Sequence, residues 1–183
     1  MLFSSDILKK GLFEKYIKSF NDISYYIYPF PTGKFYIFGD DSSIKLVLFG
    51  YKVAANLKIV QGIRNSITKE IGIAVEFIDH YLLGQKGLEP NLDMSIYTEN
   101  EKVILEKLKG IPFSEKISYI DLARISGFEN GARFAGNVMA KNLFPIFIPC
   151  HRVIRSNGNI GNYSAGKAIK RFLLNHELAV SKI

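Results

Sequence analysis

The sequence predicts an α+β protein in two parts: a small antiparallel sheet with helices, then a mainly helical segment. Three observations carry this expectation. Two turn-forming clusters, "PTG" at 31–33 and "DDSS" at 40–43, separate three short runs rich in aromatic and β-branched residues. From about Asn56 the apolar residues recur at helical spacing. Beyond residue 90, short amphipathic segments alternate with glycine and proline. The expected division is residues 1–90 and residues 91–183.

In the first part, residues 4–20 mix charged and apolar positions compatibly with a short helix. "ISYYIYPF" at 23–30, "KFYIFG" at 34–39 and "IKLVLFG" at 44–50 read as the three strands of a meander. Leu57, Val60, Ile63, Ile67, Ile71, Ala74, Val75, Ile78 and Leu82 predict a mostly helical stretch to Leu83, with a break near Gly62 or Gly72. Glu70 and Glu76 are six apart, not on one helical face, and read as solvated. "GQKGLEPNLDM" at 84–94 reads as a linker leading to a short strand at "DMSIY".

In the second part, "ENEKVILEKLK" at 99–109 is an amphipathic helix with Val103, Ile104, Leu105 and Leu108 expected inside, ended by Gly110-Ile111-Pro112. Ser118 is placed to cap a helix over 119–126, which Gly127 stops. A further helix runs from about Asn130 to Asn142. Two short helices joined by a tight glycine-containing turn fit a helix-turn-helix, a pattern also common in helical proteins at large. "LFPIFIP" at 143–149 is apolar and stiffened by two prolines, so it should be buried. Glycines at 158, 161 and 166 mark a loop, and "GKAIKRFLLNHE" at 166–177 is a last helix with Ile169, Phe172 and Leu173 as its inner stripe.

A chain of 183 residues, 48% hydrophobic and 22% charged, can bury a core without disulfides or metals. One cysteine excludes an internal disulfide and suits a reducing compartment. The N-terminal stretch lacks a long apolar core, and no run approaches eighteen apolar residues, so neither a leader nor a membrane span is expected and the cytoplasm or nucleoid is the default location. The net charge of +7 is uneven: residues 1–93 hold 11 Lys and Arg against 10 Asp and Glu, residues 94–183 hold 13 against 7. A basic second half points to a polyanion, or simply to a solubilising surface.

The single cysteine, Cys150, stands between the stiff apolar run and the glycine-rich loop. Most buried cysteines are inert. Here His151 and Arg152 follow directly, and His176 and Glu177 on the last helix are candidates to return to it. Thiol chemistry needs a thiolate, a base and a group that orients the base, and Cys150, His151 and Glu177 supply all three. The spacing of one cysteine and three histidines fits no zinc site.

"IPCHRV" at 148–153, followed by "GNYSAGKAIKRFLLNHE" at 161–177, resembles the active-site signature of the O6-alkylguanine-DNA alkyltransferases, also called methylated-DNA–cysteine methyltransferases. "ISYIDLARISG" at 117–127 and "ARFAGNVMAKN" at 132–142 resemble that family's helix-turn-helix. The resemblance is close over residues 98–183 and only general over residues 1–97, where it implies a ribonuclease H-like sheet.

The resemblance implies direct-reversal DNA repair, with one irreversible alkyl transfer from O6 of guanine to Cys150. It makes His151 the activating base, Glu177 its holder, Asn142 the support of the site, and Tyr119 the residue that turns out the nucleotide and protonates the leaving guanine. Arg133 becomes the side chain that fills the stack, with Ala132 and Gly136 as DNA contacts beside it. Val153, Tyr163 and Ser164 line the base pocket, and Lys170 lies near the reacting groups. The implied partner is duplex DNA bearing O6-alkylguanine, met in the minor groove with base flipping by a monomer, without metal, cofactor or membrane.

The chain departs from the family pattern at several places. Leu143 follows Asn142 where the family usually has proline, Ser114 stands where many members have glycine, and "TENE" at 98–101 replaces a phenylalanine–glutamine pair. The absence of cysteines from the first part rules out the zinc site some relatives carry there. Two other readings remain at this level: a DNA-binding module that recognises lesions without transfer, and a cysteine hydrolase using Cys150 and His151. The second is disfavoured if the pair lies on an extended segment, where neighbours point apart.

Overall fold

The computed structural model describes residues 16, 19–50 and 62–182. The chain divides into two compact units, Met1–Asp93 and Met94–Ile183, and its mixed α and β content matches the expected class.

In the first unit, β1 (Ser24–Phe30), β2 (Gly33–Gly39) and β3 (Ile44–Phe49) form an antiparallel meander, and β4 (Arg64–Asn65) adds to β1 in parallel, giving the order β3-β2-β1-β4. Period-two burial is visible on β1, where Ser24, Tyr28 and Phe30 are buried. Phe35, Tyr36, Ile37 and Phe38 of β2 are all buried, so this inner strand is covered on both faces. Phe30, Phe35 and Phe49 meet with ring centroids 4.7–5.7 Å apart, and each such buried side chain contributes about 1.5–3 kcal/mol. Helix α1 (Lys69–Leu82) is capped by Thr68, whose Oγ1 accepts from Ile71 N, and Tyr28 Oη donates to Asp79 Oδ1 at 2.5 Å, tying the helix to β1.

Three expectations for this unit are corrected. Helix does not cover 62–68: Gly62 has φ +90°, Arg64 and Asn65 pair with β1, and the helix begins only after Thr68 and runs straight through Gly72. The periodicity over 63–67 had no means of showing a pairing partner forty residues away. No strand forms over "DMSIY"; Leu92 makes a single bridge to Ile44, and a turn closes with Tyr97 N donating to Met94 O. Glu70 is buried, not solvated, because its carboxylate accepts from Asn91 N at 2.7 Å. The helix expected over 4–20 and the stretch 51–61 lie essentially outside the described residues.

In the second unit, α2 (Glu99–Lys109) opens with a capping box in which Thr98 and Glu101 satisfy each other's backbone N–H. Ile104, Leu105 and Leu108 are fully buried, whereas Val103 is 41% exposed and faces out. Ser118 caps α3 (Tyr119–Ile125) by accepting from Asp121 N, and Gly127 at φ +85° takes the left-handed conformation that ends it. A short turn leads to α4 (Ala132–Lys141). The run 143–149 is buried throughout, as expected.

A parallel pair that the sequence did not suggest, β5 (Ile117–Ser118) with β6 (Val153–Ile154), joins the start of α3 to the segment following Cys150. Helix α5 (Lys167–Val180) closes the unit. Its buried face is Ile169, Lys170, Leu173 and Glu177; Phe172 is only half-buried and stacks on His176. Two ionisable side chains thus stand on the face expected to be apolar. Among the described residues no helix is long and apolar enough to cross a membrane.

Candidate active site

Cys150 does not lie on an extended segment. Cys150–Arg152 form a 3-10 turn between Pro149 and β6, and all three residues are buried. The turn faces α5, and its two basic side chains converge there on Glu177. His151 Nε2 is 2.5 Å from Glu177 Oε1, and the Arg152 guanidinium donates through Nε to Oε2 at 3.0 Å and through Nη2 to Oε1 at 3.0 Å. Ser114 N donates to Oε2 at 2.9 Å. Glu177 has no solvent exposure, so these donors replace its water.

Burial alone raises the Glu177 carboxyl, but the hydrogen bonds from His151 and Arg152 and the Arg152 charge outweigh it and bring the pKa down to about 2. Burial lowers His151, and this prevails over the attraction of Glu177. Arg152 already balances the carboxylate, so the imidazole stays neutral. Its carboxylate contact assigns the proton to Nε2, which leaves Nδ1 as the basic nitrogen.

The thiol is 3% exposed in this cluster. Burial pushes its pKa up, while hydrogen bonding with Asn142 and Tyr163 and the Lys170 charge pull it down without overcoming burial. Sγ lies 3.7 Å from Tyr163 Oη. Lys170 is fully buried, donates from Nζ to Val153 O at 2.5 Å, and sits about 6 Å from the ring centroids of Tyr119 and Tyr163. Burial lowers its pKa to about 8.

Asn142 braces the chain behind the thiol. Its Nδ2 donates to Ile148 O at 2.9 Å, its Oδ1 accepts from Phe144 N at 3.0 Å, and Ile148 O also accepts from Cys150 N at 2.8 Å. Ile146, within this loop, is held at φ +77°, a strained conformation for a β-branched residue.

Beside this cluster a cleft of about 500 Å³ is lined by Tyr119, Ala132, Arg133 and Gly136 together with Arg155, Ser156 and Asn157. Gly136 faces the Tyr119 ring across this lining, and a Cβ there would lie 3.9 Å from that ring, an ordinary contact. The Arg133 side chain is exposed. Gly161, at φ +69°, lets the loop pass close to Tyr119 Oη and Arg155.

The structure therefore brings together Cys150, His151, Glu177, Asn142, Tyr163, Val153 and Lys170, and places Tyr119, Ala132, Arg133 and Gly136 on the adjoining cleft. Ser164 is half-buried in the turn before α5. His176 stacks on Phe172, and it is Glu177 that reaches His151. The sequence assigns nothing to Arg152 or to Arg155. Arg152 follows His151 directly in a short turn, which is the available signal; Arg155 carries none.

Residues 99–179 match the family model described as 6-O-methylguanine DNA methyltransferase, DNA binding domain. The chain is 51% identical over 77 residues to the methylated-DNA–protein-cysteine methyltransferase of Cricetulus griseus, a match covering 42% of this chain and 37% of that relative. It thus spans little more than a third of the length of that relative. The protein of the same name from Methanosarcina acetivorans is 30% identical over 155 residues, covering 84% of this chain and 97% of the relative. The crystal structure of Mycobacterium tuberculosis OGT in complex with DNA is similar with a TM-score of 0.73 and 25% identity, over 86% of this chain and 94% of that one. Seen with the buried thiol, its histidine–glutamate pair and the adjoining cleft, these similarities establish that the chain belongs to the methylated-DNA–protein-cysteine methyltransferase family.

Proposed function

We propose that this protein repairs DNA by taking an alkyl group from O6 of guanine onto Cys150, once per molecule. The observation that carries this reading is the placement of the sole cysteine on a rigid turn backed by His151 and Glu177. His151 Nδ1, acting through a water, takes the thiol proton. The thiolate attacks the alkyl carbon, an S–C bond forms, and the C–O6 bond breaks with its electron pair passing to the guanine. Tyr119 gives that guanine a proton and is reprotonated from solvent. The thioether product has no hydrolytic route back to the thiol, so the stoichiometry is one to one.

A base in a stacked duplex cannot reach a buried sulfur, so the reaction requires flipping, which costs a few kcal/mol. We read α3, its turn and α4 as a helix-turn-helix laid in the minor groove, with Arg133 entering the stack and Ala132 and Gly136 against the backbone. The lining of the cleft by Tyr119, Ala132, Arg133 and Gly136 supports this reading. Val153, Tyr163 and Ser164 shape the base pocket. Residues 91–183 are the working domain, acting as a monomer, and residues 1–90 a ribonuclease H-like companion; the parallel addition of β4 to an antiparallel meander supports the latter. A functional free thiol requires a reducing compartment, for which the cytoplasm is the proposed location.

Intact-protein mass spectrometry after mixing with O6-methylguanine duplex tests the proposal. The protein should gain one CH₂ on the Cys150 peptide and saturate at equimolar DNA. Cys150→Ala should bind the duplex and gain nothing; transfer that persists in that variant refutes the assignment.

A further inference from the structure

Leu143 follows the asparagine that braces the thiol, and its backbone N–H is buried. That donor is not left to itself: Leu143 N donates to Tyr97 Oη at 2.9 Å, and Tyr97 Oη donates in turn to Lys141 O at 3.1 Å. One hydroxyl therefore holds the residues on both sides of Asn142. Tyr97 is 4% exposed, and its ring lies against Phe144, with centroids 6.3 Å apart. The Lys141 ammonium, also buried, pairs with Glu101 of the α2 capping box. The corner Lys141–Asn142–Leu143 is thus fixed by two side chains from the segment 97–101.

We propose that Tyr97 is a positioning residue for Cys150, its hydroxyl holding the Asn142 corner and, through Asn142 and Ile148, the turn that carries the thiol. The connection is continuous: Asn142 Nδ2 and Cys150 N share Ile148 O as acceptor. Asn142 has φ −58° and ψ 116°, outside the helical conformation that proline disfavours in the residue before it. A proline at 143 would stiffen this corner without an N–H to satisfy; with leucine there, the buried donor needs the tyrosine hydroxyl. As a contribution to alkyl transfer this rests on the proposed function, but its effect on the thiol is measurable without it.

The test compares wild type, Tyr97→Phe, Leu143→Pro and the double variant by the pH profile of Cys150 alkylation with iodoacetamide, and by the rate with free O6-benzylguanine. Tyr97→Phe keeps the ring on Phe144 and removes the hydroxyl. It should move the alkylation profile to higher pH and slow the benzylguanine reaction by about threefold to tenfold, the range of one buried hydrogen bond of about 0.7–1.4 kcal/mol. Leu143→Pro needs no acceptor at residue 143, so Tyr97→Phe should cost less on that background than in the wild type, the remainder being the bond from Tyr97 Oη to Lys141 O. Ile104→Val, a buried change in α2 that leaves Tyr97 intact, controls for loss of stability alone and should leave the profile in place; should Leu143→Pro fail to fold, this comparison decides. A profile unmoved by Tyr97→Phe, a shift equally produced by Ile104→Val, or single-variant effects that simply multiply in the double would overturn the inference. If wild type reacts with iodoacetamide but not with benzylguanine or methylated duplex, the proposed function fails while the iodoacetamide profiles still judge Tyr97.

Discussion

Replacing Glu177 by glutamine should remove a specific piece of acid-dependent stability. The carboxylate is fully buried and bound by His151, Arg152 and Ser114 N. Its pKa is about 2 in the folded protein against an ordinary 4.5, and each pH unit is worth about 1.4 kcal/mol, so ionised Glu177 contributes roughly 3 kcal/mol near neutral pH. A depressed carboxyl pKa gives stability that is present above the unfolded value and disappears as pH falls through the folded one. The wild type should therefore lose this contribution between about pH 4.5 and about pH 2. Glu177→Gln lacks it at every pH and leaves the buried Arg152 charge uncompensated, a loss of about 3–5 kcal/mol near neutrality. Urea unfolding followed by circular dichroism across that range should show the two proteins converging as pH drops. Parallel curves for wild type and variant throughout the window would refute the argument. Alkyl transfer near neutral pH should slow in the folded variant, because glutamine offers His151 no charge to fix its tautomer.

Three further outcomes follow from the geometry. Ser114 has φ +69°, a left-handed conformation costing a non-glycine residue about 1–2 kcal/mol, so Ser114→Gly should raise the thermal midpoint while keeping the N–H to Glu177; a lower midpoint would show that the exposed Ser181–Ser114 hydroxyl contact matters more. Lys170, lowered to about 8, binds its proton less tightly than in the unfolded chain, so wild-type stability should rise from about pH 8 to the ordinary 10.5. Lys170→Met should abolish that rise and move Cys150 alkylation to higher pH, and unchanged profiles in both measurements would exclude Lys170 from the thiol's electrostatics. Arg133→Ala should weaken capture of O6-methylguanine duplex by about tenfold, about 1.4 kcal/mol, with reaction toward free O6-benzylguanine preserved; equal losses on both substrates would make Arg133 a residue of the fold.

Much of the architecture was legible in the chain because its causes are local. The clusters "PTG" and "DDSS" do separate β1, β2 and β3, and Ser118 and Gly127 do bound α3, since turns and caps are decided within three or four residues. Periodicity failed where non-local pairing competed with it, as at Arg64 and Asn65 on β1, and where a polar side chain found a buried partner, as Glu70 did in Asn91 N. The same limit applied to α5. The periodicity predicts the apolar stripe Ile169, Phe172 and Leu173, yet Lys170 and Glu177 lie inside while Phe172 is half-buried, because Val153 O, Arg152 and His151 receive them. Leu143 departs from the family's proline, and the hydroxyl that receives its N–H comes from Tyr97, 46 residues earlier.

By itself the sequence determined that Cys150 is the only thiol, that His151 and Arg152 adjoin it, and that the half of the chain holding it is basic. These are covalent facts, and chain order carries them. Only the tertiary structure decided that Glu177 meets His151 at Nε2, leaving Nδ1 as the basic nitrogen, that Arg152 and Ser114 N share the same carboxylate, and that the Tyr97 hydroxyl bonds the residues on both sides of Asn142. Protonation and orientation depend on the groups packed within a few ångströms, here contributed by residues 26 to 63 positions apart. Separation along the chain contains no record of that distance.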